Sequence, residues 1–215
     1  MTIKHAIYSE QRFANRPLVV LLHGYGSNEN DLPGLAELAF PDFDYVSLQA
    51  PHAIFGGFPA YAWFNDPVPA HNERTDQAKL CAEDIMNFLK YAAKSGEIHE
   101  NRRLILMGFS QGGAMVSYIL QSGMLKSRLA AAVNLSGYLP FRSETTPVEG
   151  VNLDVDIFHG WGNADDIVPV VENETARDWF ALHFKNVQDF EYSGLAHSIS
   201  LDEVRDLKAF LSSVK

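Results

Sequence analysis

The chain has 215 residues, 47% hydrophobic, 12% aromatic and 20% charged, a balance that suits a globular protein with a sizeable core and excludes disorder or a fibrous repeat. Its 17 basic and 27 acidic residues leave a net charge of −10, so no overall field draws in phosphate backbones or anionic lipid, and nucleic acid is not an expected partner. Cys81 is the single cysteine, which rules out an intrachain disulfide and a cysteine-built zinc site; no metal is expected.

The opening residues, Met-Thr-Ile-Lys-His, carry charge with no apolar stretch behind it, and no segment reaches the length of a membrane span. The expectation is a cytoplasmic protein without stable membrane insertion. Along the chain, short apolar runs lead into turn residues and then into helical periodicity, the habit of parallel β-α-β construction. Strands are expected at residues 17–22, 44–48, 103–109, 129–135, 154–159 and 187–192. The first runs into a stretch rich in Gly, Asn and Asp at 24–34. The second runs into 50–66, where Pro51, Gly56, Gly57 and Pro59 stand among Phe55, Phe58, Tyr61, Trp63 and Phe64. Both stretches read as irregular loops at strand ends, where open α/β sheets place ligands.

Residues 76–94 set Ala82, Ile85, Met86, Leu89, Ala92 and Ala93 on one stripe, leaving Lys79, Glu83, Asp84 and Lys90 to face water, the pattern of a helix lying on a sheet. Further helices are expected at 111–121, 168–184 and 201–214. The sum is an α/β fold with a mostly parallel central sheet and helices on both faces. No repeat or linker divides it, so one domain over 1–215 is expected.

The strand at 103–109 ends in Gly108-Phe109-Ser110-Gln111-Gly112, a G-x-S-x-G match. The pattern alone recurs by chance in roughly one chain in fifteen of this length. Its setting is far rarer: an apolar strand enters it and a helix leaves it, which puts Ser110 on a sharp strand-to-helix turn. Such a turn strains the serine backbone and needs small residues on either side, as Gly108 and Gly112 provide. The free NH groups of the helix start, that of Gln111 first, face any oxyanion that develops there.

A serine hydroxyl needs a base to take its proton and a carboxylate to orient that base. Three histidines follow Ser110. His183 falls within an amphipathic helix and His159 ends a strand, whereas His197, in Gly194-Leu-Ala-His-Ser, occupies a loop between the last strand and the last helix, where the base belongs. The acid comes from His159-Gly-Trp-Gly-Asn-Ala-Asp-Asp-Ile-Val-Pro, which offers Asp165 and Asp166; spacing does not choose between them. The second oxyanion donor is expected in Leu22-His-Gly-Tyr-Gly, at the NH of Tyr25, with His23 as a brace for the loop.

Together, His23-Gly-Tyr-Gly, Gly108-Phe-Ser-Gln-Gly-Gly-Ala-Met, Asp165-Asp-Ile-Val-Pro and Gly194-Leu-Ala-His resemble the phospholipase/carboxylesterase family of α/β-hydrolases, which includes acyl-protein thioesterases. Ala50-Pro-His, Trp63-Phe and Leu135-Ser-Gly-Tyr-Leu-Pro look like landmarks of the same family, so the likeness spans nearly the whole chain. The Phe58-Pro-Ala-Tyr-Ala-Trp-Phe form is closer to the bacterial carboxylesterases than to the animal thioesterases. The resemblance implies a hydrolase of carboxylic esters or thioesters that needs no cofactor, with Asp165, the Asp of D-x-x-V-P, as the acid and the amides of Tyr25 and Gln111 as the oxyanion hole.

Trp63, Phe64, Tyr138 and Trp161 are candidate walls of an apolar pocket for short to medium acyl groups, set against the plain alternative that large aromatics are core. Lysophospholipid hydrolysis, acyl-protein thioester hydrolysis and a catalytically silent hydrophobic-ligand-binding protein are the rival readings, and a homodimer is left open.

Overall fold

In the computed structural model, residues 3–54, 59–65, 75–125, 127–140 and 154–214 are described. Phe55, Gly56, Gly57, Phe58 and Asp66 of the aromatic stretch lie outside them. The elements run β1 (Ala6–Tyr8), β2 (Leu18–Leu22), α1 (Pro33–Ala39), β3 (Tyr45–Leu48), β4 (His52–Ala53), β5 (Tyr61–Ala62), α2 (Thr75–Lys94), β6 (Leu104–Phe109), α3 (Gln111–Gln121), β7 (Leu129–Leu135), β8 (Asp156–Gly162), α4 (Val170–His183), β9 (Asn186–Tyr192) and α5 (Leu201–Ser213).

Seven strands form the main sheet in the order β1-β3-β2-β6-β7-β8-β9, and β4 and β5 pair separately. Only the β1–β3 pair of the main sheet is antiparallel; β2, β3, β6, β7, β8 and β9 run parallel. Parallel strands covered on both faces must be apolar throughout, and β2, Leu-Val-Val-Leu-Leu, is buried at every position. Its Leu18, Val20 and Leu22 pack into a core with α2, α3 and α4, while Val19 and Leu21 pack into a second core with α1 and α5. The architecture is the α/β-hydrolase fold, helices on both faces included.

The chain leaves β2 toward β3 on one side and returns to β6 on the other. That reversal opens a crevice at the carboxyl ends of β2 and β6, and the 24–34 loop and the serine turn emerge there side by side. Some elements differ from the sequence reading. α1 starts at Pro33, and no side chain caps it at Leu32, so it lacks the usual start signal. β8 continues through Gly160-Trp-Gly because Gly160, Trp161 and Gly162 stay in register with Phe190, Glu191 and Tyr192 of β9. α4 begins only after Pro169, whose backbone is extended (φ −53°, ψ 139°); Val168, preceding a proline, is disfavoured in helical conformation. No helix among the described residues is long and apolar enough to cross a membrane.

Candidate active site

Ser110 sits between β6 and α3 with φ 55° and ψ −117°, in a region L residues rarely occupy. Two close approaches hold it there. A Cβ on Gly108 would fall 2.2 Å from the Gly112 carbonyl, and one on Gly112 would fall 1.9 Å from the Leu22 carbonyl oxygen, so the motif's glycines are required by backbone meeting backbone. The Ser110 NH donates to Leu135 O of β7 at 2.8 Å. Behind the turn, the buried Asn134 donates to Gly113 O and Ser117 Oγ and accepts from the Gly137 NH, fastening α3 to β7.

His197 and Asp165 come together from two different loops. His197 Nδ1 lies 2.7 Å from Asp165 Oδ2. A carboxylate only accepts, so Nδ1 carries a proton, and in the neutral ring Nε2 keeps its lone pair. The other Asp165 oxygen accepts from the NH groups of Ile167 and Val168, each at 2.9 Å, and the carboxylate is fully buried. Asp166 is exposed. The His197 ring packs on Phe109 with centroids 4.8 Å apart, which brings the imidazole against the residue next to Ser110.

The other two downstream histidines are occupied elsewhere. His159 donates through Nδ1 to Asp189 on β9 at 2.7 Å and packs on Phe180. His183 bonds the Trp179 carbonyl one turn back in α4.

Tyr25 lies in a loop turned by Gly26 at φ 80°, and its NH makes no backbone hydrogen bond among the described residues. Gln111 opens α3, where the first NH groups have no partner within the helix. His23 is fully buried. Burial holds its pKa below the ordinary histidine range, against the pull of the Gly24 carbonyl and of Asp31 and Glu29. The neutral ring donates from Nδ1 to Gly24 O at 2.7 Å and accepts at Nε2 from the Ala50 NH at 3.0 Å, fixing one tautomer and the path of the loop.

The four aromatic candidates are all core side chains: Trp63, Phe64 and Tyr138 have no exposed surface and Trp161 has 1%. Phe64 meets Tyr138 edge-on, and the Trp161 indole donates to Asp189. A cleft of about 390 Å³ lies away from these groups, between the N-terminal segment and α1, lined by residues such as Phe13, Phe40 and Asp44.

Two side chains carry more than the sequence assigned them. The Gln111 carboxamide bonds both the Trp63 NH and the Phe64 carbonyl at 2.8 Å; nothing in the local sequence signals a partner so far away. Glu203 is fully buried in the first turn of α5, three residues after the N-cap Ser200, whose Oγ accepts from the Glu203 NH. The Ser-x-x-Glu spacing of a capping box was its available signal.

A sequence model of the phospholipase/carboxylesterase family matches residues 4–215. Acyl-protein thioesterase 1 of Kluyveromyces lactis is 30% identical over 211 residues, covering 91% of this chain and 90% of the relative. Among solved structures, esterase PE8 superposes with a TM-score of 0.79 at 28% identity over 100% of both chains. A carboxylesterase of Bacillus cereus gives 0.81 at 20% identity, covering 96% of this chain and 92% of the other.

Proposed function

Because the chain belongs to the phospholipase/carboxylesterase family of α/β-hydrolases and so hydrolyses ester or thioester bonds, we propose that it is a serine carboxylesterase for short to medium acyl chains, working as one domain through Ser110, His197 and Asp165. The supporting observation is the Asp165–His197 pair at 2.7 Å, its carboxylate buried and its imidazole packed on Phe109, beside a serine held at positive φ.

In this reading Ser110 Oγ attacks the acyl carbonyl as His197 Nε2 takes the hydroxyl proton, and the Asp165 carboxylate stabilises the imidazolium. The tetrahedral oxyanion is met by the NH groups of Tyr25 and Gln111. A preorganised donor of this kind contributes about 10² to 10³ in rate. Collapse of the intermediate expels the alcohol or thiol, which takes its proton from His197. Water activated by the same imidazole then attacks the acyl-enzyme and releases the acid. Every proton moves through one ring, so the chemistry calls on no cofactor.

Acyl-protein thioesterase relatives at about this level of identity, that of Kluyveromyces lactis at 30%, favour thioesters as a second substrate class for the same machinery. The test is hydrolysis of p-nitrophenyl acyl esters from acetyl to palmitoyl, with a matched thioester series, by the wild type and Ser110→Ala. Serine-dependent turnover with an optimum among the shorter chains is expected. Activity that survives Ser110→Ala would refute the assignment of the nucleophile.

A further inference from the structure

The two amides proposed as the oxyanion hole stand on separate elements, and one short stretch, residues 61–64, is hydrogen-bonded to both. At one end, Tyr61 O accepts from the Gly26 NH at 2.9 Å and the Tyr61 NH donates to Ser27 O at 2.8 Å, tying the stretch to the loop that carries Tyr25. At the other end, the Gln111 carboxamide accepts from the Trp63 NH through Oε1 and donates through Nε2 to Phe64 O, both at 2.8 Å. Between the two, the Trp63 indole donates to His23 O at 2.9 Å. Gln111, Trp63 and His23 have no exposed surface, so water does not compete for these bonds and their geometry is enforced.

We infer that Gln111 acts twice: its amide faces the oxyanion, and its carboxamide is a positioning group that, through residues 61–64, sets where the Tyr25 amide stands relative to its own. This rests on the reading of Tyr25 and Gln111 as the oxyanion hole. The chemistry of the contact is selective. A backbone NH and a carbonyl can be met together only by a group that accepts with one atom and donates with the other, as a primary amide does. A carboxylate in its place keeps the bond to the Trp63 NH but turns a second acceptor toward Phe64 O. A protonated carboxyl restores the donor.

An oxyanion contact matures only in the transition state, so displacing the Tyr25 amide lowers kcat and leaves KM nearly unchanged. For Gln111→Met, which keeps the side-chain length and removes both bonds, kcat is expected to fall by about 10- to 100-fold, below the roughly 10² to 10³ of outright loss of one oxyanion donor because the Tyr25 amide is displaced and not removed. For Gln111→Glu, the loss relative to wild type at the same pH is expected to shrink about tenfold between roughly pH 8 and pH 5.5, as the carboxyl regains its proton. A merely structural role does not produce that narrowing.

If neither variant folds, Trp63→Phe carries the test: it removes the indole donor to His23 together with part of a buried ring, leaves the backbone bonds to Gln111 in place, and is expected to lower kcat several-fold at constant KM. Folded Gln111 variants with kcat within about twofold of wild type, or with the whole loss in KM, overturn the inference. Wild-type turnover that does not depend on Ser110 overturns instead the functional reading beneath it, so the two failures are told apart by the Ser110→Ala control.

Discussion

Replacing Glu203 by Gln tests whether a buried carboxyl is protonated in the folded protein. The side chain is fully buried and neither oxygen makes a hydrogen bond among the described residues. Oε1 rests over Gly160, where a Cβ would fall 2.4 Å from it. Burial first, and Asp206 to a lesser degree, push the carboxyl from 4.5 up to about 7, while the nearby Ser200 backbone NH opposes the rise.

The folded chain therefore holds a proton that the unfolded chain has released between pH 4.5 and about 7. Stability from this group is complete below the lower value, declines as pH rises toward the upper one, and is level beyond it. At about 1.4 kcal/mol per pH unit, the interval amounts to about 3 kcal/mol. Urea unfolding of wild type and Glu203→Gln across this range measures it. The amide cannot titrate, so wild-type stability minus variant stability should fall by about 3 kcal/mol over the interval and then stay constant. The unpartnered amide costs the variant about 1–3 kcal/mol at every pH, which offsets the difference curve without changing its slope. Parallel midpoints across the range would show that Glu203 is ionised in the fold.

Asp165→Asn should lower kcat/KM by about 10³ to 10⁴, because the amide no longer fixes the His197 tautomer or stabilises its cation, whereas Asp166→Asn, at an exposed position, should stay within about twofold. Comparable losses in steady-state ester hydrolysis would remove Asp165 from its role. Arg102 is buried against Asp44 at 2.7 Å and also donates to Arg16 O, Phe13 O and Gln11 Oε1. Arg102→Met leaves the Asp44 carboxylate buried without its counter-charge and should cost about 3–5 kcal/mol in chemical denaturation. Ester turnover below the unfolding transition should be unchanged, since this network lies at the amino ends of β2 and β6, away from Ser110.

What the sequence disclosed follows from how each feature is encoded. The serine turn was legible because its backbone needs are met by residue identity: glycine where β6, α3 and β2 approach one another. The proposed base, His197, stood out as the one downstream histidine in a loop after the last strand. Spacing did not show which aspartate pairs with His197, because that turns on a local fold, the return of the Ile167 and Val168 NH groups to one carboxylate, that either aspartate could have organised. β1 and α1 passed unseen for want of signal: three half-buried residues, and seven residues without a capping side chain. The Gln111 bonds cross 48 and 47 positions to an irregular stretch, a relation that no periodicity records. The aromatic candidates show the limit of composition, since a ring lining a pocket and a ring filling a core share one sequence.

The division of the site across the sheet explains why β7 matters while supplying none of the proposed reacting groups. Ser110 and the loop carrying Tyr25 stand at the ends of β6 and β2, and Asp165 and His197 follow β8 and β9, with β7 between the two sets. Its end is bonded to both: Leu135 O accepts from the Ser110 NH at 2.8 Å, and the next residue, Ser136, donates its NH to Gly160 O at 2.8 Å. To make the second bond Ser136 adopts φ 48°, a conformation costing about 1–3 kcal/mol that persists only where its surroundings over-determine it. That strain is intelligible as the means by which one strand end holds the serine turn and the strand leading to Asp165 in a common frame, so that the separation of the proposed nucleophile and base is set by sheet geometry and not by the loops alone.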